Sequence, residues 1–359
     1  MRLALLRPFW SLLWPLLGLA TLAATAIVGV PGPVAAAAGI VLIGAVFAAV
    51  WHAEVVAHRI GEPFGTLVLA VAVTVIEVAL IVSVMFGDPG GKAGLARDTV
   101  FAAVMIACNG IVGLSLLLGG ARHREQGFQV QGASAALAVL AALTILTLVV
   151  PNVTTTTPGP HFSASQLVFA GLVSLALYGS FVFVQTVRHR DYFLAVGGGA
   201  DSHAPQPTPA RTWASAVLLI VALLAVVGLA KALNATIERG VDALDAPKAV
   251  VGIAIAALVM FPEGIAALRA ARADRLQTSL NLALGSALAS IGLSIPTVAA
   301  VSLAFDLPLT LGLGAKDSLL LAMTLLLGVI TLGTGRTTVL QGVVHLVVFA
   351  AFVFFALVP

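Results

Sequence analysis

The sequence predicts an all-α, polytopic membrane protein with about eleven transmembrane helices. Hydrophobic residues make up 60% of the 359-residue chain and charged residues only 9%, and the mean hydropathy is +1.11. A soluble domain carries about 25% charged residues, so a water-facing surface cannot be built from this composition. Helix is the expected spanning structure, because a backbone in lipid must satisfy its own hydrogen bonds and no strand pattern of about ten alternating residues occurs.

Eleven apolar segments are each close to the length of about 20 residues that a spanning helix needs. Charged or Pro/Gly-rich stretches separate them and set the predicted boundaries: 10–30, 34–53, 64–86, 99–119, 133–151, 164–187, 213–233, 248–268, 279–304, 317–334 and 338–357. Arg2 and Arg7 before the first segment also fit a secretory signal peptide. We expect a first transmembrane helix instead, since the apolar segment runs on to about Val30 and Trp10 and Trp14 stand at its entry.

The distribution of basic residues predicts the orientation. With the N-terminus in the cytoplasm, twelve of the eighteen Lys and Arg residues fall on the inner side, as the positive-inside rule requires. The inner set is Arg2, Arg7, Arg59, Arg122, Arg124, Arg188, Arg190, Arg211, Arg269, Arg272, Arg275 and Arg336; the outer set is Lys92, Arg97, Lys231, Arg239, Lys248 and Lys316. An odd helix count then places the C-terminus in the periplasm of a bacterium, with the chain in the inner membrane.

The chain is expected to divide into a peripheral N-terminal helix and two five-helix halves joined by a flexible cytoplasmic linker. The predicted boundaries are 1–33 for the peripheral helix, 34–187 and 213–359 for the halves, and 188–212 for the linker. The linker contains three consecutive glycines and three prolines, which are typical of a flexible connection. The lipid bilayer is the expected partner, no basic run indicates nucleic acid, and the oligomeric state stays open.

The two halves share a pattern. Pro63 opens one helix that reaches Glu77 fourteen residues later, and Pro247 opens another that reaches Glu263 after sixteen. Each is the second helix of its half, and because five is odd the halves cross the membrane in opposite directions, as in inverted-repeat transporters with a midplane site. The alternative is coincidence, since proline is common in the first turn of any helix.

Of the fifteen acidic residues, only Glu77 and Glu263 lie deep within apolar spans. A charge near the bilayer centre costs at least about 2.5–3.5 kcal/mol, so it is rarely present without a role. The alternative is a protonated glutamate hydrogen-bonded to a neighbouring helix. Pro262 removes a backbone donor and disfavours helix at Met260 and Phe261, which would free carbonyl oxygens as ligands.

These carboxylates suggest a mechanism. Burial favours the protonated form of a carboxylate, so protons compete with metal ions near neutral pH. Two carboxylates that hold either one divalent cation or protons couple the two fluxes. Carboxylate, carbonyl and hydroxyl oxygens suit Ca²⁺ and also Na⁺, and no His/Cys constellation indicates Zn²⁺ or copper. No cofactor is expected beyond the transported cation and H⁺.

Other polar residues within the spans form two sets. The candidates for a secondary role at the cation site are Thr74, Asn109, Asn281, Ser286 and Ser290, for each of which a helix–helix hydrogen bond is the alternative. The candidates for a proton path are His52, Glu54, His58 and His345. Interfacial anchoring is the alternative for the first three, and a hydrogen-bonded core histidine is the alternative for His345.

At these residues the chain resembles a known family. The segment 58–66 followed by Val75-Ile76-Glu77-Val78, and Pro262-Glu263-Gly264 followed by 281–289, resemble the two repeats of the ChaA-type sodium/potassium/calcium–proton antiporters. Those belong with the calcium/proton exchangers in the calcium/cation antiporter superfamily. The resemblance implies eleven helices, one of them peripheral and the rest in two inverted five-helix repeats. It also implies cation export against proton entry, with Glu77 and Glu263 as the acidic residues.

The chain departs from the typical calcium/proton exchangers at three places. Those proteins carry Gly-Asn before each glutamate, where this chain has Thr74-Val75 and Met260-Phe261, and they carry glutamine where Ala289 stands. The departures leave Na⁺ and K⁺ open beside Ca²⁺.

Two other functional classes are alternatives. An intramembrane protease would need a serine–histidine or double-aspartate pair, and Ser286 with His345 is the only conceivable dyad; a lipid transferase would need an interfacial carboxylate cluster. A cation channel is disfavoured because buried titratable glutamates would obstruct high conduction.

Overall fold

The computed structural model describes residues 9–61, 64–87, 93–194, 206–243, 247 and 249–358. Within these residues, eleven helices are long and apolar enough to cross a membrane, which confirms the predicted fold class. They are α1 (Phe9–Val28), α2 (Gly32–Ile60), α3 (Phe64–Gly87), α4 (Leu95–His123), α5 (Val130–Asn152), α6 (Ala164–Arg188), α7 (Pro209–Ala243), α8 (Ala249–Arg272), α9 (Leu276–Phe305), α10 (Ala315–Leu332) and α11 (Val339–Leu357). A pair of two-residue antiparallel strands, β1 (Gln126–Gly127) and β2 (Arg336–Thr337), joins two connections.

Several helices are longer than predicted, and the largest differences are in α2, α4 and α7. α2 continues past residue 53 to Ile60, and α7 spans Pro209–Ala243 where 213–233 was expected. Hydropathy marks only the apolar part of a helix, whereas the hydrogen-bonded backbone continues until a residue stops it. In α2 that residue is Gly61, whose φ of 75° suits glycine and whose N–H bonds the Ala57 carbonyl.

Some sequence features fall outside the described residues. They are Arg2, Arg7, Glu62, Pro63, Lys92, the glycines at 197–199, Asp201, Asp245, Ala246 and Lys248. Within the predicted linker, α6 ends at Arg188 and a short 3₁₀ turn follows at Arg190–Phe193.

By contacts, the chain separates into two compact units. The first unit, Met1–Asp88 with His203–Asp245, contains α1, α2, α3 and α7. Its helices pack closely, and a Cβ added to Gly44 of α2 would lie 2.2 Å from the Trp14 ring. At one end Arg59 donates to the Pro207 carbonyl at 3.3 Å and the Arg211 guanidinium lies 5.7 Å from the Trp51 ring centroid. These contacts hold the end of α2 beside the start of α7.

The second unit, Pro89–Ser202 with Ala246–Pro359, contains the other seven spanning helices. α4 packs along both α8 and α11, and α8 packs along α9. The approach of α11 to α4 is close, because a Cβ added to Gly342 would lie 2.5 Å from the Leu117 backbone nitrogen. Small residues therefore bring α11 against α4, which positions the polar residues discussed below.

The loops that join the helices of the second unit form two groups, one at each end of the helices. At one end β1 pairs with β2, and Gln126 donates to Asp274 at 2.8 Å. At the other end Asn152 donates to the Leu313 carbonyl at 2.7 Å, and the Gly312 N–H bonds the Pro160 carbonyl at 3.1 Å. This grouping matches the predicted alternation, in which consecutive connections lie at opposite ends of the helices.

The compact units and the predicted halves divide the chain differently. Contacts group α2 and α3 of the predicted first half with α7 of the second. A unit is defined by packing, whereas a repeat is defined by the likeness and direction of two segments. The division into two inverted repeats therefore stays a prediction.

Candidate functional site in the spanning helices

Glu263 lies within α8 and is half-buried. The Ser286 hydroxyl of α9 donates a hydrogen bond to Glu263 Oε2. The sequence identified both residues separately, and the structure brings them together across two helices of the second unit. A hydroxyl that donates to a carboxylate stabilises its ionised form, and the same oxygens suit a hard cation.

Pro262 does not interrupt α8, so the expectation of disfavoured helix at Met260 and Phe261 is wrong. The helix runs unbroken through Pro262 to Arg272. In apolar surroundings no water can replace a lost backbone hydrogen bond. The residues next to Pro262 therefore keep their backbone hydrogen bonds, and the helix continues through the proline. Pro262 still has no N–H, so it gives no bond to the Leu258 carbonyl one turn earlier.

Tyr178 of α6 was not identified from the sequence, and it belongs to this site. Tyr178 is 4% exposed, and it packs against the stretch of α9 that follows Ser286. The ring packs on Gly292, where an added Cβ would lie 2.7 Å from Tyr178 Cβ. Tyr178 is one of only two tyrosines in the chain and lies in the middle of an apolar span, a signal that could have identified it.

Gly292 lies in a π-helical turn of α9 that runs from Ser290 to Ser294. Such turns widen a helix by one residue and are frequent at functional sites. Ser290 itself is buried at the start of this turn, one turn beyond Ser286. Asn281 is not brought to Glu263: its Nδ2 donates to the Phe193 carbonyl at 2.6 Å, and its Oδ1 accepts from Gln277 at 2.9 Å.

Glu77 and Thr74 lie on the buried side of α3 in the first unit. Glu77 is 1% exposed and Thr74 is 7% exposed, whereas Val75 between them is exposed. The two polar residues thus share a face, as their spacing predicts. The Thr74 hydroxyl has no hydrogen-bond partner within the described part of the chain, so it does not bond Glu77.

Asn109 and His345 form a buried pair that the sequence did not suggest. His345 Nδ1 of α11 lies 3.1 Å from Asn109 Oδ1 of α4, and His345 Nε2 lies 3.1 Å from the Thr331 hydroxyl of α10. Asn109 Nδ2 donates to Thr324 at 2.8 Å. Because both ring nitrogens of His345 are engaged here and Ser286 bonds Glu263, the conceivable serine–histidine dyad does not form.

His52, Glu54 and His58 lie on α2, but they do not form a cluster. His52 is buried, and its Nε2 donates to the Ser11 carbonyl of α1 at 2.8 Å. Glu54 and His58 are exposed. Positions two apart lie on opposite sides of a helix, so His52 and Glu54 point in different directions.

Comparison with known proteins identifies the family. The family described as sodium/calcium exchanger protein matches residues 33–187 and 214–358. The y4hA protein of Sinorhizobium fredii, which is named an ionic transporter only provisionally, is 52% identical over 356 residues, covering 98% of this chain and 97% of the relative. The Escherichia coli protein named sodium-potassium/proton antiporter ChaA is 36% identical over 315 residues, covering 87% of this chain and 85% of ChaA.

A solved structure shares the fold. The H⁺/Ca²⁺ exchanger CAX superimposes with a TM-score of 0.74 at 17% identity, covering 96% of this chain and 88% of that chain. These relatives are transporters, and the chain is a membrane transporter of cations, not an enzyme. The protein belongs to the sodium/calcium exchanger family of cation antiporters.

Proposed function

We propose that the protein exchanges a cation, Ca²⁺ or Na⁺/K⁺, for protons by alternating access, and that Glu77 and Glu263 are the carboxylates that bind both. The observation that carries the proposal is the hydrogen bond from Ser286 to Glu263 inside apolar helices. A carboxylate there is costly unless it is used, and a hydroxyl beside it supplies a second oxygen for a cation.

The proposed cycle depends on competition. An ionised Glu263 accepts a hydrogen bond from Ser286, and a cation that binds the carboxylate is met by the hydroxyl oxygen when its proton turns away. A proton bound to the carboxylate removes the charge that attracts the cation. Cation and proton therefore exclude each other, and each must leave before the other binds.

The two family matches support the inverted-repeat part of the proposal. They fall at 33–187 and 214–358, close to the predicted halves 34–187 and 213–359. An N-terminal helix that precedes the first match fits the predicted peripheral helix. Two repeats of opposite direction are the architecture in which one bundle rocks against another around a central site.

The chemistry of the site and the names of the relatives together suggest which cations are exchanged for protons. ChaA is named for sodium, potassium and protons, and CAX for protons and Ca²⁺. Within the described residues, no group of three or more His, Cys, Asp or Glu side chains could hold a metal ion. Hydroxyl and carbonyl oxygens would therefore complete the coordination of a cation held by either glutamate, which suits Ca²⁺ and alkali cations alike.

We further propose that the protein lies in the bacterial inner membrane, with its N-terminus in the cytoplasm.

The test is transport by purified protein in sealed vesicles carrying a pH gradient and an internal pH-sensitive dye. Addition of Ca²⁺, Na⁺ or K⁺ in separate experiments should dissipate the gradient saturably. Glu77→Gln and Glu263→Gln should each abolish the dissipation of the gradient. Glu125→Gln should not, because Glu125 is exposed and its Oε2 lies 3.8 Å from Arg336 Nη1. Exchange retained in either of the first two variants contradicts the assignment of that glutamate, and unlimited conductance would favour a channel.

A further inference from the structure

A second polar cluster is buried in the second unit, apart from the bond between Glu263 and Ser286. It consists of Asn109, Thr324, Thr331 and His345, from α4, α10 and α11. His345 is 1% exposed and Asn109 is 0% exposed. A histidine buried in a transporter either carries a proton or serves as a neutral hydrogen-bonding element, and the two roles have different consequences.

The hydrogen bonds on one side of the ring assign its proton. The Thr324 hydroxyl donates to the Leu320 carbonyl at 2.8 Å, so its oxygen accepts from Asn109 Nδ2 at 2.8 Å. That orientation turns Asn109 Oδ1 toward His345 Nδ1, 3.1 Å away. Because an amide oxygen only accepts hydrogen bonds, Nδ1 carries the proton.

The other side of the ring completes a neutral network. A neutral imidazole protonated at Nδ1 has an acceptor at Nε2, and the Thr331 hydroxyl, 3.1 Å away, donates to it. In the part of the chain that the structure describes, no carboxylate forms an ion pair with His345. An imidazolium here would be buried without a counter-charge, which is costly.

The cluster reaches Glu263 through packing. Asn109 lies in a π-helical turn of α4 that runs from Ile106 to Ile111. Ile111 Cδ1 lies 3.3 Å from where a Cβ on Gly264 would stand, and Gly264 directly follows Glu263. The position of this turn therefore fixes how closely α8 approaches α4 at the glutamate.

We propose that His345 is a positioning residue that remains neutral, holds the π-helical turn of α4 through Asn109, and so fixes α8 at Glu263. Asn109 then serves the same network and is not a cation ligand, since its amide oxygen and nitrogen are both engaged. The inference rests on the proposed role of Glu263. On this proposal His345 does not carry protons, unlike the role in a proton path that was considered from the sequence.

The test compares two substitutions of His345 in vesicle exchange assays. Glutamine offers an N–H and a carbonyl oxygen in place of Nδ1–H and Nε2, so His345→Gln should keep exchange and its pH midpoint. Leucine leaves Asn109 and Thr331 unsatisfied, so His345→Leu should raise the cation concentration for half-maximal exchange about tenfold, with the pH midpoint unchanged. Thr147→Val is the control, because within the described residues the buried Thr147 hydroxyl bonds only the Leu143 carbonyl of its own helix, at 2.8 Å.

Two outcomes overturn the proposal. Loss of exchange or of its pH dependence in a folded His345→Gln protein would mean that the ring carries protons. Wild-type behaviour of both His345 variants would mean that it positions nothing. If His345→Leu does not fold, Thr331→Val removes one donor to the same ring and should weaken cation binding in the same direction.

A spectroscopic measurement separates this inference from the proposed function. Solid-state NMR of ¹⁵N-histidine protein in lipid, assigned by the signal missing from His345→Gln, should show a neutral ring protonated at Nδ1 from about pH 5 to 8. A charged His345 ring in that pH range contradicts this inference even if exchange is normal. If the ring is neutral but the wild type does not exchange ions, only the proposed function is contradicted.

Discussion

Removing the Ser286 hydroxyl should shift the pH dependence of exchange by an amount that the structure allows us to estimate. A hydrogen bond to a charged group contributes about 1.5–3 kcal/mol when buried, and Glu263 is only half-buried, so the lower end applies. About 1.4 kcal/mol corresponds to one pH unit or a tenfold change in binding. Ser286→Ala removes a donor that stabilises the ionised carboxylate, so the proton binds more tightly and competes at higher pH.

The expected result is an upward shift of about one unit in the pH of half-maximal cation binding, together with a weaker apparent affinity for the cation. The assay is dye-monitored exchange in vesicles at several pH values and cation concentrations. Ser180→Ala is the matched control, because the Ser180 hydroxyl is exposed on α6 and bonds the Ala176 carbonyl of its own helix at 2.7 Å.

One combination of results would refute this reasoning. If Glu263→Gln abolishes exchange while Ser286→Ala changes neither the pH midpoint nor the affinity, the bond between them plays no part in transport. A downward shift would be equally damaging, because it would mean that the hydroxyl stabilises the protonated acid.

Three further predictions concern the competition, the packing and the topology. Apparent cation affinity of the wild type should fall as the pH drops; an affinity independent of pH contradicts a carboxylate shared with protons. Gly292→Val should push Tyr178 aside and destabilise the protein by about 1–3 kcal/mol in thermal unfolding. Gly285→Ala should not destabilise it, because a Cβ added at Gly285 meets nothing within 4 Å. Equal stability of both variants would disprove the packing argument. A C-terminal cysteine tag should react with an impermeant reagent only from the periplasm, and labelling from the cytoplasm would overturn the orientation.

The spanning helices could be predicted because lipid imposes one strong constraint. Each span needs enough apolar residues to cross the bilayer, and this signal is local. The sixth and eleventh predicted spans, 164–187 and 338–357, differ from Ala164–Arg188 and Val339–Leu357 by one residue at one end. The largest errors lie in α2, α4 and α7, where helix continues beyond the apolar segment into residues that hydropathy does not count.

The candidate residues could be named from the sequence, whereas their contacts could not. An acid in an apolar span is conspicuous, so Glu77 and Glu263 could be found without coordinates. The partners could not, because the spacing of Ser286 or His345 along the chain carries no information about which helices pack together. The π-helical turns at 106–111 and 290–294 were also missed, since an extra residue in one turn depends on tertiary packing and leaves no periodic signal.

The chemistry of the partners separates the buried groups by role. His345 meets an amide oxygen and a hydroxyl, which suit a neutral ring and give no reason for it to change charge. Glu263 meets the Ser286 hydroxyl. A hydroxyl can donate to an ionised carboxylate, accept from a protonated one, or turn its oxygen to a bound cation. This partner is satisfied in all three states that an exchange cycle requires, which is why we propose that Glu263 changes charge during the cycle and that His345 stays neutral.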